Sequence, residues 1–208
     1  MARSEPQAAI VRGRPIGDQA ARRRDIAEAT LSVIAQSGLD GATLRAIARE
    51  ASCTTGVLSH YFSNKDDVLA FALESIFDAV DDGIDRRSRR GTGLAALRAV
   101  ARSALPIDDE SRSLVYVWQS YVSKAEHNDR LAEILRRRHG QVRDRFTALV
   151  ERGQEDGSIR SDIAARDLGD VVNACVDGFA RMAPLEAGRL PRDRLLELID
   201  IQLRLIAA

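Results

Sequence analysis

Apolar residues along this chain recur at three- and four-residue spacing and nowhere alternate at spacing two, so the pattern predicts helices throughout and no strand. From Asp18 onward, Ile26, Ala29, Thr30, Val33 and Ile34 fall on one face, and Gly38 follows as a stop. Thr43 stands where an N-cap belongs, ahead of Leu44, Ile47, Ala48 and Ala51 on one face of a short helix. Ser52-Cys53-Thr54 break that helix, and a second short one over Thr55–Tyr61 turns Val57, Leu58 and Tyr61 inward. Ser63, with Asp66 three residues on, reads as the cap of a long helix through Val68, Leu69, Ala72, Leu73, Ile76, Phe77 and Val80. Beyond a charged, glycine-containing break at Arg86–Gly93, helices follow near Leu94–Leu105, Glu110–Ala125, Asp129–Glu155, Asp167–Leu185 and Pro191–Ile206. Their breakers are Pro106, the His127-Asn128-Asp129 step, Gly157-Ser158 and Gly188. The expected fold is all-α, nine helices in two domains. Residues 1–17 read as a flexible basic arm, 18–65 as a three-helix head and 66–208 as a helical body.

Composition supports this division. With 45% apolar and 30% charged residues the 208-residue chain has a globular profile, and aromatics at 4% favour helices over strands. No apolar run approaches the roughly 18 residues that span a bilayer, and no apolar segment follows the basic N-terminus as in a secretory signal. The expectation is a cytoplasmic protein without membrane contact. Cys53 and Cys175 occupy apolar positions with no CxxC or histidine spacing, and read as small buried thiols. Net charge is formally zero, but nine basic residues stand against six acidic ones through Lys65. A basic head on an acidic body suits a nucleic-acid reader with a second, unrelated domain.

Two short helices joined by a three-residue turn and packed on a longer one form a helix-turn-helix. Ile47, Ala48, Ala51, Val57 and Leu58 can bury the inner faces, leaving Arg45, Arg49, Thr54, Thr55, Gly56, Ser59 and His60 outward. The second helix opens on small residues, so its backbone can approach a groove, and its free N–H groups and dipole point at phosphates.

The stretch from Gly41-Ala42-Thr43-Leu44-Arg45-Ala46-Ile47-Ala48 to Thr55-Gly56-Val57-Leu58-Ser59-His60-Tyr61-Phe62-Ser63-Asn64-Lys65 closely resembles the signature of TetR-family repressors. The resemblance covers roughly Arg22–Leu73. The run Ser59-His60-Tyr61-Phe62 resembles the BetI-type branch, and Ala104-Leu105-Pro106, Trp118 and the Gly153…Gly157 helix end do so more loosely. It implies that Thr43 and Arg45 meet the phosphate backbone or a base at the groove edge. Thr54, Thr55 and Gly56 would open the recognition helix, Ser59 and His60 would face DNA, and Tyr61 and Lys65 would clamp phosphates. Two features depart from the family: Ser52 replaces the usual turn glycine, and the recognition helix carries no arginine or lysine. Bidentate guanine readout must then come from Arg45 or not at all. In the arm, Arg12 and Arg14 either enter a narrow A·T-rich minor groove or stay solvated.

The resemblance further implies a small-molecule effector pocket in the body and a dimer interface built from the last two helices; the resulting homodimer would bind an inverted-repeat operator in double-stranded DNA through its two heads. Those helices carry Leu168, Val171, Val172, Cys175, Phe179, Leu195, Leu196, Leu198, Ile199, Leu203 and Ile206, more apolar surface than one packed face needs. Trp118, Tyr121, Phe146, Cys175 and Phe179 are the candidate pocket residues, with Glu126 or Asp177 as charge partners; such aromatics could cage a quaternary ammonium or simply form core. His127 and His139, among charged neighbours, are expected to face solvent. No nucleophile–base set, phosphate-cradling glycine loop or metal-ligand spacing is present, so no cofactor, metal or catalytic residue is expected. A helical adaptor acting through protein partners, with little DNA binding, is the alternative that the uncharged recognition helix leaves open.

Overall fold

The computed structural model describes residues 16–88 and 91–208, with 16–18, 79–81 and 83–87 as backbone only. Among these it has nine helices: α1 (Ile16–Gly41), α2 (Leu44–Glu50), α3 (Thr55–Tyr61), α4 (Lys65–Ser88), α5 (Gly93–Ser103), α6 (Asp109–Ala125), α7 (Asp129–Glu155), α8 (Ala165–Met182) and α9 (Arg192–Ile206). Among the described residues an isolated bridge, Ile159 to Ala207, closes the loop after α7 onto the end of α9. The basic-arm arginines Arg12 and Arg14 lie outside the described residues.

Several helix ends differ from the sequence expectation by a residue or more. Helix α1 already starts at Ile16, so the arm gives up its last two residues. The cap of α4 is Asn64, whose Oδ1 accepts from the Asp67 N–H at 2.9 Å, and not Ser63; Asp67 rather than Asp66 reaches back to the Ser63 N–H at 3.1 Å. The Arg130 guanidinium, then the hydrogen bonds from Ser63, hold the Asp67 carboxyl below its ordinary pKa. One residue of register separates the two capping schemes, and tertiary pairing with Arg130 favours the observed one. Finally, α8 stops at Met182, and Leu185 lies in the following turn at 79% exposure. Gly38 does act as a stop, with φ 70° interrupting α1 one turn before its end.

Burial divides the molecule into two cores. The first joins α1–α4 with Val117 and Tyr121 of α6 and Leu131, Ile134 and Leu135 of α7. The second gathers α5, α8 and α9 around Phe146, Leu149 and Val150 of α7, with Leu105 and Ile159. Helix α7 therefore belongs to both, and α4, which begins at Lys65, is anchored in the core of the head. Helices α5 and α7 meet at glycine on glycine: a Cβ on Gly93 would stand 2.1 Å from the Gly153 nitrogen. Asp156 ties the same junction by accepting from the Gly93 N–H at 2.6 Å.

Candidate nucleic-acid interface

The helix-turn-helix is built from two caps and one strained turn. Thr43 Oγ1 accepts from the Ala46 N–H at 3.2 Å and Thr54 Oγ1 from the Val57 N–H at 3.3 Å, which fixes the starts of α2 and α3. Between them Ser52 takes φ 49°, the left-handed region expected from the missing turn glycine. Ile47, Ala48, Ala51 and Leu58 are buried where the helices cross, and Val57 is half-buried. Arg22 of α1 reaches across to the Ala51 carbonyl at 3.2 Å, capping the end of α2.

This packing leaves Thr43, Arg45, Thr54, Thr55, Gly56, Ser59 and His60 exposed. Ser59 donates to the Thr55 carbonyl at 3.1 Å, and the His60 ring stands edge-on to Tyr61 at 5.1 Å. A Cβ on Gly56 would meet only the Thr54 hydroxyl, at 3.7 Å, so the protein's own packing does not require glycine there. Tyr61 and Lys65 differ from the rest in being half-buried. Lys65 Nζ donates to the Leu39 carbonyl at 3.2 Å, fastening α4 to the end of α1 behind the exposed face.

Several stabilising groups around this face were invisible to pattern reading. Arg23 lays its guanidinium over Phe62 at 5.0 Å and Phe71 at 4.5 Å. Along α4, Asp67, Glu74 and Asp78 pair with Arg130, Arg137 and Arg138 of α7, the last two at 2.7 and 3.0 Å. On α4 they stand seven and four residues apart, a helical stripe legible in the sequence; their partners, some sixty residues on, are not.

The candidate ligand residues of the body do not come together. Tyr121 is wholly buried and donates to the Leu69 carbonyl of α4 at 2.8 Å, and burial pushes its phenol pKa far up. Phe146 is 2% exposed in the second core, against which Phe179 also packs. Tyr121 and Phe146 are thus packed as core residues. Cys175 and Cys53 are free thiols, half-buried rather than fully buried. Trp118 alone among the candidates sits in a mixed cluster. Its ring meets Phe77 of α4 edge to face at 5.4 Å and His139 of α7 at 5.0 Å. His139 is therefore half-buried on an aromatic ring and not solvent-facing as its charged neighbours suggested; His127 and Glu126 are exposed. Asp177 of α8 completes the surroundings: burial raises its carboxyl pKa, opposed by the charges of His139 and Arg181. A separate groove of about 600 Å3 runs between the end of α1 and α6, lined by Gly38, Asp40, Tyr116 and Lys124 among others. No described helix is long and apolar enough to cross a membrane.

Residues 26–71 match the family described as bacterial regulatory proteins, tetR family, and residues 94–208 match BetI-type transcriptional repressor, C-terminal. The chain is 30% identical over 184 residues to the HTH-type transcriptional regulator PksA of Bacillus subtilis (strain 168), covering 88% of each protein. It is 28% identical over 166 residues to the HTH-type transcriptional regulator BetI of Paraburkholderia xenovorans (strain LB400), covering 79% of this chain and 82% of that one. Among solved structures, a transcriptional regulator from Saccharomonospora viridis in complex with choline shares the fold, with TM-score 0.84 and 19% identity over 91% of this chain and 99% of that one.

Proposed function

The chain belongs to the TetR family of transcriptional regulators, with a BetI-type C-terminal domain, and from that premise we propose that it binds an inverted-repeat DNA operator as a homodimer and releases it on binding a small organic effector. The observation that carries the DNA half is the exposed face of α2 and α3. Its polar side chains are outward, its two N-caps are intact, and Gly56 is small where no neighbour in the protein demands it. Direct contacts are assigned to Thr43, Arg45, Thr54, Thr55, Gly56, Ser59 and His60, with Tyr61 and Lys65 on phosphates. A recognition helix without lysine or arginine leaves Arg45 as the guanine reader.

Dimerisation is supported by apolar side chains that one copy leaves in water: Val171 and Met182 on α8 and Leu205 on α9, at 56%, 40% and 70% exposure. Isologous pairing of these helices would cover them. Two-fold symmetry then requires half-sites about one helical turn, roughly 34–36 Å, or a multiple apart. The effector is assigned to the Trp118–Phe77–His139 cluster with Asp177, a half-buried aromatic and carboxylate setting that suits an organic cation; the choline complex of the Saccharomonospora viridis protein agrees with this class. Such work on promoters belongs to the cytoplasm.

The test is fluorescence anisotropy on promoter fragments, the region upstream of the chain's own coding sequence among them. Tight, salt-dependent binding to a few fragments, with a footprint of two symmetric half-sites, is expected. Uniform weak binding to all of them would contradict the operator reading, and an asymmetric single half-site would contradict the dimer.

A further inference from the structure

Phe77 of α4 and Trp118 of α6 form a ring pair that two consecutive side chains of α7 close over. His139 stands against Trp118 at 5.0 Å, and Arg138 places its guanidinium over Phe77 at 4.9 Å. The Arg138 side chain is only 12% exposed, and it is held from two sides. Its Nη2 donates to Asp78 Oδ1 at 3.0 Å and its Nη1 to Gln141 Oε1 at 3.1 Å. A guanidinium on a ring face makes the same contact that an organic cation makes in an aromatic cage. The aromatic wall of this cluster therefore already carries a cation, and a tethered one, which competes at the high effective concentration of an intramolecular group.

We infer that Arg138 is a specificity-determining residue of the effector site: it holds the Phe77 face as a tethered competitor and admits only ligands able to replace it there. The inference rests on the effector reading above. A strongly hydrated ammonium gives up more water than a guanidinium does and gains the same ring, so it loses the exchange. A cation with a carbon shell has little hydration to give up, leaves no N–H unpaired, and reaches Trp118 as well. The exchange also has a consequence for α4. Arg138 leaving the ring lets go of Asp78, one of three acidic positions that tie α4 to α7. Asp78 is 75% exposed, so water compensates its carboxylate and the loss of the pair opposes ligand entry only weakly.

Trp118 is the only tryptophan of the chain, so its fluorescence reports this cluster directly. The full-length protein, Arg138→Met and Asp78→Asn are titrated with tetramethylammonium, and far-UV circular dichroism melts are followed in parallel as a check on the fold. Methionine keeps the volume over Phe77 without the charge. Asp78→Asn alters an exposed side chain only and loosens the anchor of Arg138, so it decides the matter should Arg138→Met fold poorly. If Arg138 holds the ring in about nine molecules of ten, removing it tightens tetramethylammonium binding about tenfold, and Asp78→Asn tightens it by a smaller factor. Equal or weaker affinity in both variants, with a clear response in the unaltered protein, overturns the inference and leaves the effector site standing. No fluorescence response in any of the three overturns the effector reading itself, and the inference with it.

Discussion

Lys65 offers the most discriminating test, because the hydrogen bond that the structure gives it and the phosphate contact proposed for it separate in one experiment. Its ammonium donates to the Leu39 carbonyl at 3.2 Å in a part-buried position, so Lys65→Ala removes a charge-assisted hydrogen bond. Such bonds contribute about 1.5–3 kcal/mol when shielded; half-burial brings this one to about 1–1.5 kcal/mol. For a chain of this length that lowers Tm by roughly 2–6 °C. If Lys65 holds a phosphate as proposed, it also releases counterions, so its loss should weaken cognate and scrambled duplexes alike and reduce the slope of log K against log salt by about 0.9. Arg45 is the contrasting case. It is exposed, with no hydrogen bond or ion pair among the described residues, so Arg45→Ala should leave Tm unchanged. It should instead cost roughly 1–3 kcal/mol on the cognate duplex alone. Calorimetry gives the first quantity, and anisotropy against potassium chloride on both duplexes gives the second. A lowered Tm with an unchanged salt slope for Lys65→Ala would make Lys65 a strut and no more. Equal losses for the two variants on both duplexes would make Arg45 a phosphate contact, and specificity would rest with Thr54, Thr55, Ser59, His60 and DNA shape.

Three further expectations concern stability. Ser52→Gly relieves the left-handed φ of 49° but adds freedom to the unfolded chain, so a net gain of about 0.5–1 kcal/mol is expected by denaturant melting; a loss would mean the Ser52 side chain contributes more than its backbone costs. Gly93→Ala places a Cβ 2.1 Å from the Gly153 nitrogen, a clash with backbone that cannot rotate away, so α5 must separate from α7 at a cost of about 3 kcal/mol or more; near-native stability would refute the close approach. Asp177 has its folded-state pKa raised by burial, so its ionised form disfavours the fold: stability is fully present below the ordinary pKa of 3.8 and declines as pH rises through the raised value. Asp177→Asn should therefore raise Tm at pH 7, with the difference vanishing in acid, and a constant difference across pH would contradict the burial argument.

Local chemistry alone set much of this protein. The three- and four-residue spacing of apolar positions placed all nine helices, because a helix must put its buried residues on one side. Thr43, Thr54 and Gly38 acted at the positions their side chains or backbone freedom dictate, and the absent turn glycine at Ser52 announced a strained residue. The exposed face of the helix-turn-helix was legible for the same reason: a two-helix unit of fixed length leaves little choice of which residues point outward. What the spacing could not contain was the pairing of faces distant in the chain. Tyr121 and Trp118 are one turn apart on α6, yet one bonds the Leu69 carbonyl in a dry core and the other joins Phe77 and His139. His139 lies in a run of arginines that reads as a solvated surface, and is half-buried where its ring packs on Trp118 of α6. Asn64 rather than Ser63 caps α4 in the register that presents Asp67 to Arg130 of α7, and Lys65 meets the Leu39 carbonyl of α1. Periodicity is a property of one helix and can be read from it. Which helix covers which is decided by how several amphipathic faces, each with more than one possible partner, share a limited interior.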